Sequence, residues 1–362
     1  MDHAWIDGRP VELEAACAEA ARMLQQSRLP IIAGLATDVA GARAAIALAQ
    51  RTGAVVDHMH SEALLHVLDV VRDAGIMTTT PTEARLRADV LLLVGPLPAD
   101  ALRPLLSATP DTGDRTIIWL CPGRAATRDI ASAAKVQGVG RQPDDLPAVL
   151  AALRATIAGR PVTGAPVAAK SLANLAAQLQ SARFGVALWS AAALDALTSE
   201  MLCGLIKDVN AQTRFSGLPL PPGDNALGVL QVCAWASALP PRIGFARGVA
   251  EHDPWRFDAR RLVDSGEADC ALWISAYRPA PPPWSRDVPT IALTADDANF
   301  AHRPRVHVTV GRPGIDHDAV EYLPAAGALA WTAARATAAA IRVSDALDRI
   351  AAALPVREVA PC

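Results

Sequence analysis

The sequence is poor in the features that nucleic-acid-binding and membrane proteins need. Aromatic residues make up 4% of the 362 residues, and no basic stripe interleaved with aromatic residues occurs. Such a stripe is what neutralises phosphates in a nucleic-acid complex. No apolar run reaches the roughly 18 residues that span a bilayer, and the start, MDHAWIDGRP, lacks the basic and apolar regions of a secretory signal. We therefore expect a cytoplasmic protein that binds neither nucleic acid nor membrane.

Cysteine is also sparse, and its spacing excludes the common cysteine-based centres. The six cysteines are scattered along the chain, and no C-x-x-C pair occurs. Zinc fingers and iron–sulfur clusters need closely spaced thiolates. We expect these cysteines to be small buried side chains in a reducing compartment.

What the chain does contain is an alternation of short apolar runs and segments with helical spacing. Hydrophobic residues are 51% of the sequence, which is enough for sizeable cores. The apolar runs include LPIIAGLA (29–36), DVLLLV (89–94) and CALWIS (270–275). Continuous apolar strands separated by helices are typical of parallel sheets that are covered on both faces. The prediction is an α/β protein with two Rossmann-like domains and mainly parallel sheets.

The domain boundaries are predicted from composition. The Gly- and Pro-rich stretch GRPVTGAPVA (159–168) is the best candidate linker. The proline-rich segment 213–224 is predicted to be a loop, and the last helix is placed within 329–353. The predicted units are a first Rossmann-like domain (1–160), a second one (161–325), and a C-terminal helical segment that packs back on the core (326–362).

The turn residues carry no nucleotide fingerprint. Gly34 closes the first predicted strand, and Gly95 closes the third in G-P-L-P rather than G-x-G-x-x-G. Pro96 and Pro98 have no N–H to offer a phosphate. Asn225, at the start of another predicted helix, is expected to be part of its cap. We expect no bound dinucleotide.

The densest cluster of ligand-type side chains is DHMHSE (57–62), directly after the second predicted strand. His58 and His60, beside Asp57, would hold Zn²⁺ or Fe²⁺ only with a further convergent ligand, such as His252 or His317. Polar packing within the loop is the favoured interpretation.

Five stretches along the chain carry a resemblance to a known family. They are LPIIAGLATDVAGARAAIALAQRTGAVVDH (29–58), TPTEARLRADVLLLVGPLP (80–98), GDNALGVLQV (223–232), GEADCALWIS (266–275) and GRPGIDHDAVEYLPAAG (311–327). Their order and spacing resemble the B subunit of tungsten- or molybdenum-dependent formylmethanofuran dehydrogenase, in the molybdopterin oxidoreductase superfamily. The first stretch alone is also similar to the central domain of thiamine diphosphate enzymes.

The departures from that family concern its redox centres. In the family, four cysteines near the N-terminus hold an iron–sulfur cluster, and a cysteine or selenocysteine after the second strand ligates the metal. This chain starts after the position of the cluster segment and has no cysteine between Cys17 and Cys121. The resemblance therefore implies a degenerate site with no molybdopterin, no tungsten or molybdenum, no iron–sulfur cluster, no metal ligand and no catalytic residue. The candidates for the vestigial pocket are Gly34, Asp57, His58, His60, Glu83, Gly95 and Asn225.

Cofactor-less relatives of this kind form the B subunits of bacterial formyltransferase/hydrolase complexes, which move a formyl group from tetrahydromethanopterin to methylofuran and hydrolyse it to formate. The resemblance implies a structural subunit beside an amidohydrolase-like A subunit, a formyltransferase D subunit and a β-helical C subunit. The alternative is a pterin- or nucleotide-binding module, or an enzyme, that uses a cleft between the domains.

Two tryptophans lie in predicted loops rather than in predicted strands. They are Trp255, in HDPWRF, and Trp284, in PPPWSRD. Each either packs back on its own domain or anchors a partner, since tryptophan is enriched at the centres of interfaces.

Overall fold

The computed structural model describes residues 4–106, 115–123, 136–296, 298–336 and 340–355. The strands there are β1 (Ala4–Ile6), β2 (Arg9–Pro10), β3 (Pro30–Ala36), β4 (Val55–Val56), β5 (Val90–Val94), β6 (Thr116–Leu120), β7 (Val136–Val139), β8 (Gly185–Ser190), β9 (Phe215–Leu220), β10 (Ile243–Gly244), β11 (Glu251–His252), β12 (Cys270–Ser275), β13 (Thr290–Thr294), β14 (Val306–Thr309), β15 (Ala319–Leu323) and β16 (Ala328–Thr332). The helices are α1 (Leu13–Gln26), α2 (Val39–Thr52), α3 (Ser61–Asp73), α4 (Pro81–Arg87), α5 (Ala99–Leu106), α6 (Leu146–Ile157), α7 (Ala169–Gln180), α8 (Ala196–Asn210), α9 (Ala226–Ser237), α10 (Ala259–Asp264) and α11 (Val343–Ala353).

The chain divides into two compact units. Unit 1 consists of Met1–Ser61, Gly223–Tyr322 and Leu329–Cys362, and unit 2 consists of Glu62–Pro222 and Leu323–Ala328. Unit 1 contains a nine-stranded sheet in the order β11-β10-β4-β3-β12-β13-β14-β1-β2. The five central strands, β4 to β14 in that order, are parallel, and antiparallel strands are added at both edges.

Unit 2 contains a five-stranded sheet, in the order β7-β6-β5-β8-β9, whose strands are all parallel. Every residue of the central strand β5 is buried, which is why this strand has a continuous apolar sequence rather than an alternating one. The two sheets confirm the predicted α/β class with mainly parallel, Rossmann-like sheets.

The predicted domain boundaries at residues 160 and 325 differ from the two units. Hydrogen bonds within the sheets are the reason, since β3 pairs with β12 and β5 pairs with β8 across the predicted boundary. The predicted linker, 159–168, connects α6 and α7 inside unit 2. Composition identifies flexible connections, but strand order decides which segments share a core.

One local prediction is wrong, and another is confirmed over part of its range. The sequence predicts a loop over 213–224, but this segment contains β9, with Pro219 inside the strand. Because β9 is at the edge of its sheet, a residue without an N–H is tolerated there. The last helix lies within 329–353, as predicted, but it is confined to α11, and the segment starts in β16, which pairs with β15.

Helix α2 is capped at both ends. The Asp38 carboxylate accepts a hydrogen bond of 2.9 Å from the backbone N–H of Gly41 at the start of α2. Gly53 ends this helix in the left-handed conformation, which is common for a glycine directly after the last helical residue.

The two loop tryptophans have different environments. Trp284 is buried and packs edge-on against Trp273, with 5.4 Å between the ring centroids. Trp255 is 70% exposed. Of the two, only Trp255 is therefore available to a partner, and Trp284 is a core residue.

None of the helices in the described part of the chain is both long and apolar enough to cross a membrane.

Candidate functional site

Asp57, His58 and His60 follow the carboxyl end of β4, where ligands of parallel sheets usually bind. Gly34 is inside β3 rather than in the turn after it, with φ at +81°. The pairing of β3 with β12 shifts register here, and a Cβ on Gly34 would lie 2.4 Å from the Ile274 carbonyl oxygen. The glycine is therefore explained by a bulge in the sheet, not by the approach of a ligand.

Asp57 is buried and faces α10. Its Oδ2 accepts a hydrogen bond of 2.9 Å from the backbone N–H of Ala259, and its Oδ1 lies 3.7 Å from the Arg242 guanidinium. The same guanidinium pairs with Asp258 at 2.5 Å. Burial raises the pKa of Asp57 to about 6, although Arg242 opposes the shift. These contacts anchor α10 to the end of β4.

His58 is buried, and both of its ring nitrogens are engaged. Nδ1 accepts a hydrogen bond of 3.0 Å from the backbone N–H of His60, and Nε2 lies 3.1 Å from the carbonyl oxygen of Asp224. This assignment places the ring proton on Nε2. Burial, followed by the proximity of His60, lowers the pKa of His58 to about 4, so the ring is neutral at pH 7.

Asp224 is the convergent group that the sequence analysis did not identify. Its side chain is 6% exposed, and its Oδ2 lies 2.9 Å from His60 Nε2. Arg278 donates from Nε and from a terminal nitrogen to the same carboxylate, the shortest distance being 2.7 Å. Burial opposes ionisation of Asp224, but the hydrogen bonds from His60 and Arg278 outweigh it and lower the pKa of this carboxyl. His252 and His317, the predicted further ligands, instead bond to the carbonyl oxygens of Arg242 and Asp318.

Asn225 is the N-cap residue of α9, as predicted, but its side chain makes no capping hydrogen bond. Its Nδ2 donates 2.8 Å to the carbonyl oxygen of Thr37, and its Oδ1 accepts 2.8 Å from the backbone N–H of Tyr322. Both Asp224 and Asn225 have φ near +57°, a conformation that costs roughly 1 kcal/mol in residues other than glycine. The strained turn presents one side chain to the histidines and the other to two separate backbone segments of unit 1.

Glu83 and Gly95 belong to unit 2 and are separated within it, because Glu83 lies before β5 and Gly95 after it. Glu83 binds the Thr79 hydroxyl at 2.9 Å and Arg87 at 3.0 Å. Gly95 has φ at +67°, and its carbonyl oxygen accepts 2.9 Å from the indole N–H of Trp119. The structure does not bring these two predicted pocket residues together.

The residues present do not fit the pterin-bound metal of the resembling dehydrogenases. The two histidines, Asp224 and Arg278 are bonded to one another, which leaves no set of convergent donors directed at a metal. Burial raises the pKa of the thiols of Cys121 and Cys203 to about 11 and of Cys233 and Cys270 to about 12, opposite to what a thiolate ligand requires. Over the described ranges, no group of three or more His, Cys, Asp and Glu is arranged to hold a metal ion.

As an acid–base device the cluster is incomplete. Asp224 orients His60 as a carboxylate orients a catalytic histidine. The neighbouring hydroxyl of Ser61, however, accepts a hydrogen bond of 3.0 Å from the backbone N–H of His58, and it is buried. The arrangement therefore joins the segment after β4 to the turn before α9 more readily than it activates a nucleophile.

Comparison with known proteins gives relatives along most of the chain. No model of a protein family matches. The B subunit of the formyltransferase/hydrolase complex Fhc of Methylorubrum extorquens is 36% identical over 322 residues, which cover 86% of this chain and 85% of the relative. The B subunit of the tungsten-containing formylmethanofuran dehydrogenase 2 of Methanocaldococcus jannaschii is 28% identical over 296 residues, 75% of this chain and 65% of the relative.

A solved structure agrees with the sequence comparison. It is the crystal structure of the formyltransferase/hydrolase complex FhcABCD from Methylorubrum extorquens with methylofuran. One of its chains superposes with a TM-score of 0.85 at 33% identity and covers 96% of this chain and 97% of its own length. These likenesses support the formyltransferase/hydrolase interpretation rather than an independent pterin or nucleotide module. The chain belongs to the family of B subunits of formyltransferase/hydrolase complexes.

Proposed function

We propose that this chain is the structural, non-redox B subunit of a cytoplasmic formyltransferase/hydrolase complex. The observation that carries the proposal is the match to the corresponding M. extorquens subunit, at 36% identity over 86% of this chain. A similarity of this extent includes both units and is not limited to a shared Rossmann-like core.

The chemistry of the complex is assigned to the other subunits. The formyl group moves from tetrahydromethanopterin to methylofuran through a formyltransferase D subunit and is hydrolysed to formate by an amidohydrolase-like A subunit, beside a β-helical C subunit. This chain supports the A subunit and binds none of the redox groups of formylmethanofuran dehydrogenase. Methylofuran is handled by the complex.

The support for a catalytically silent role comes from the strand-end cluster, formed by His58, His60, Asp224 and Arg278. In unit 1 the buried carboxylate of Asp224 is neutralised by Arg278 and oriented toward His60. A site that binds a metal or a pterin keeps its donors available until the ligand arrives. Here the polar groups are bonded to one another, so the cluster is a structural link between the end of β4 and the turn before α9.

The test is reconstitution of the complex. The chain is coexpressed with and without the A, C and D subunits of its own organism and analysed by size-exclusion chromatography with light scattering and by native mass spectrometry. We expect a stable hetero-complex with formyl-transferring and hydrolysing activity, and poor solubility of the chain alone. A well-behaved monomer of 37.9 kDa that does not bind the other subunits would refute the proposal.

A further inference from the structure

A groove on unit 2 is lined by arginines and lies on the edge of the sheet opposite to the usual ligand edge. Its volume is about 500 Å³, and its lining includes Arg87, Arg183, Phe184 and Arg214. Arg183 and Phe184 precede β8, Arg214 precedes β9, and α4 precedes β5. The groove is therefore at the amino ends of parallel strands, whereas cofactors of such sheets bind at the carboxyl ends.

Two of the three guanidinium groups lie over an aromatic ring. The Cζ atoms of Arg214 and Arg87 lie 4.7 Å and 5.7 Å from the centroid of the Phe184 ring. Phe184 is buried, while the side chains of Arg87 and Arg214 are 55% and 56% exposed. Stacking restrains a guanidinium by its face and leaves its N–H groups free to bind in the plane.

The charges of the groove are not balanced. Glu83 lies 3.0 Å from Arg87 and 3.8 Å from Arg214, and Asp89 lies 3.3 Å from Arg183. Three cations thus face two carboxylates, which leaves a net charge of +1. The Arg214 guanidinium donates no hydrogen bond to any described residue. The Arg183 side chain is 83% exposed.

We propose that this groove docks a carboxylate-bearing segment of another subunit of the complex. A carboxylate accepts two parallel N–H bonds from one guanidinium, and the groove presents three guanidiniums carried by three separate elements. Leu86, half-buried in the lining, gives the segment an apolar contact beside its acidic side chain, as a peptide chain requires and a small anion does not. The inference rests on the proposed function, since it assumes that the chain assembles with partners.

The experiment is charge reversal in the intact complex. Arg214→Glu and Arg183→Glu are each compared with Arg160→Glu, an exposed arginine of unit 2 outside the groove. The dissociation constant for assembly is measured by mass photometry at about 0.15 M salt, where exposed charges still interact. We expect each groove variant to assemble at least about tenfold more weakly than wild type, because a like charge replaces an attractive one. The Arg160→Glu control is expected to assemble like wild type.

Two further measurements identify the segment that binds in the groove. A photo-reactive amino acid at position 183 is expected to cross-link to an acidic peptide of one defined subunit, identified by mass spectrometry. Citrate is tested as a small carboxylate probe. The proposal would be overturned if citrate stabilised the lone chain and both groove variants nevertheless assembled like wild type. Normal assembly of both groove variants, with wild type assembling, refutes the groove alone, whereas failure of wild type to assemble refutes the proposed function itself.

Discussion

The strand-end cluster predicts a definite stability loss for Asp224→Asn. The carboxylate is 6% exposed and accepts from His60 and Arg278. A buried hydrogen bond to a charged group contributes about 1.5–3 kcal/mol, and the Arg278 pair, whose arginine side chain is 57% exposed, is counted at no more than about 1 kcal/mol. Asparagine keeps the shape and one acceptor oxygen, so we expect a loss of about 2–3 kcal/mol.

The loss is measured on this chain inside the purified complex by pulse proteolysis in urea. With a urea dependence of about 3 kcal/mol per molar, the midpoint should fall by roughly 1 M. Since the pKa of Asp224 is lowered in the folded protein, its contribution is present above about pH 4 and is lost as the pH falls through the folded pKa. Titration of Asp224 itself should therefore add no pH dependence to the stability difference between the variant and wild type from about pH 5 to 8.

A matched control separates burial from the mere removal of a charge. Asp264, whose side chain is 38% exposed, pairs with Arg260 at 3.5 Å on the surface of α10. Asp264→Asn should change stability by less than about 0.5 kcal/mol. If Asp224→Asn and Asp264→Asn were equally stable, the interpretation of the cluster as a structural link between β4 and the turn before α9 would be refuted.

Three further predictions use other features of the molecule. His58→Gln should make the stability of the fold less sensitive to acid. The pKa of His58 is lowered to about 4 in the folded protein, so below about pH 6.5 the unfolded wild-type chain binds more protons than the folded chain and wild type loses stability. Between pH 7 and 4, the free energy of unfolding of the variant should therefore rise by about 3 kcal/mol relative to that of wild type. The raised pKa of Asp57 acts in the opposite direction in both proteins and cancels in the comparison, and equal pH profiles would contradict the assignment of a buried neutral ring. Gly34→Ala should destabilise the chain by more than about 2 kcal/mol, because its φ is +81° and the new Cβ would meet the Ile274 carbonyl oxygen at 2.4 Å, whereas Gly223→Ala, which has open space, should be tolerated in the same urea titration. Elemental analysis of the purified complex should find no molybdenum, tungsten or iron in stoichiometric amount with this chain, and about one atom of any of them per chain would contradict the proposed loss of the redox site.

The sequence was sufficient for the fold class because its strands are continuous apolar runs. Strands such as β5 are buried on both faces, so their composition alone predicts a covered parallel sheet. Short edge strands were missed: β10 and β11 have two residues each and carry too little pattern to be detected. The proline of β9 indicates a loop when it is considered locally, because edge position, which permits it, is a property of the whole sheet.

The site was predicted only in part, since its main contact joins residues far apart in the sequence. The pair His58 and His60 is recognisable as a cluster, but Asp224 is 164 positions after His60. It lies in GDNALGVLQV, a stretch that also carries the resemblance to a family, and its charge could have suggested a partner for the histidines. The left-handed conformations of Asp224 and Asn225 could not be anticipated, because nothing local distinguishes a strained turn from a normal helix cap.

The central claim is that this chain supports catalysis in the complex without taking part in it. The most direct test measures formyl transfer and hydrolysis per assembled complex for His58→Ala and His60→Ala, with assembly verified by native mass spectrometry in the same preparations. We predict activities within a few-fold of wild type, because the cluster contains no activated nucleophile and its polar groups bind one another. A loss of about 100-fold with the assembly intact would show that the strand-end cluster is a working site and would contradict the account.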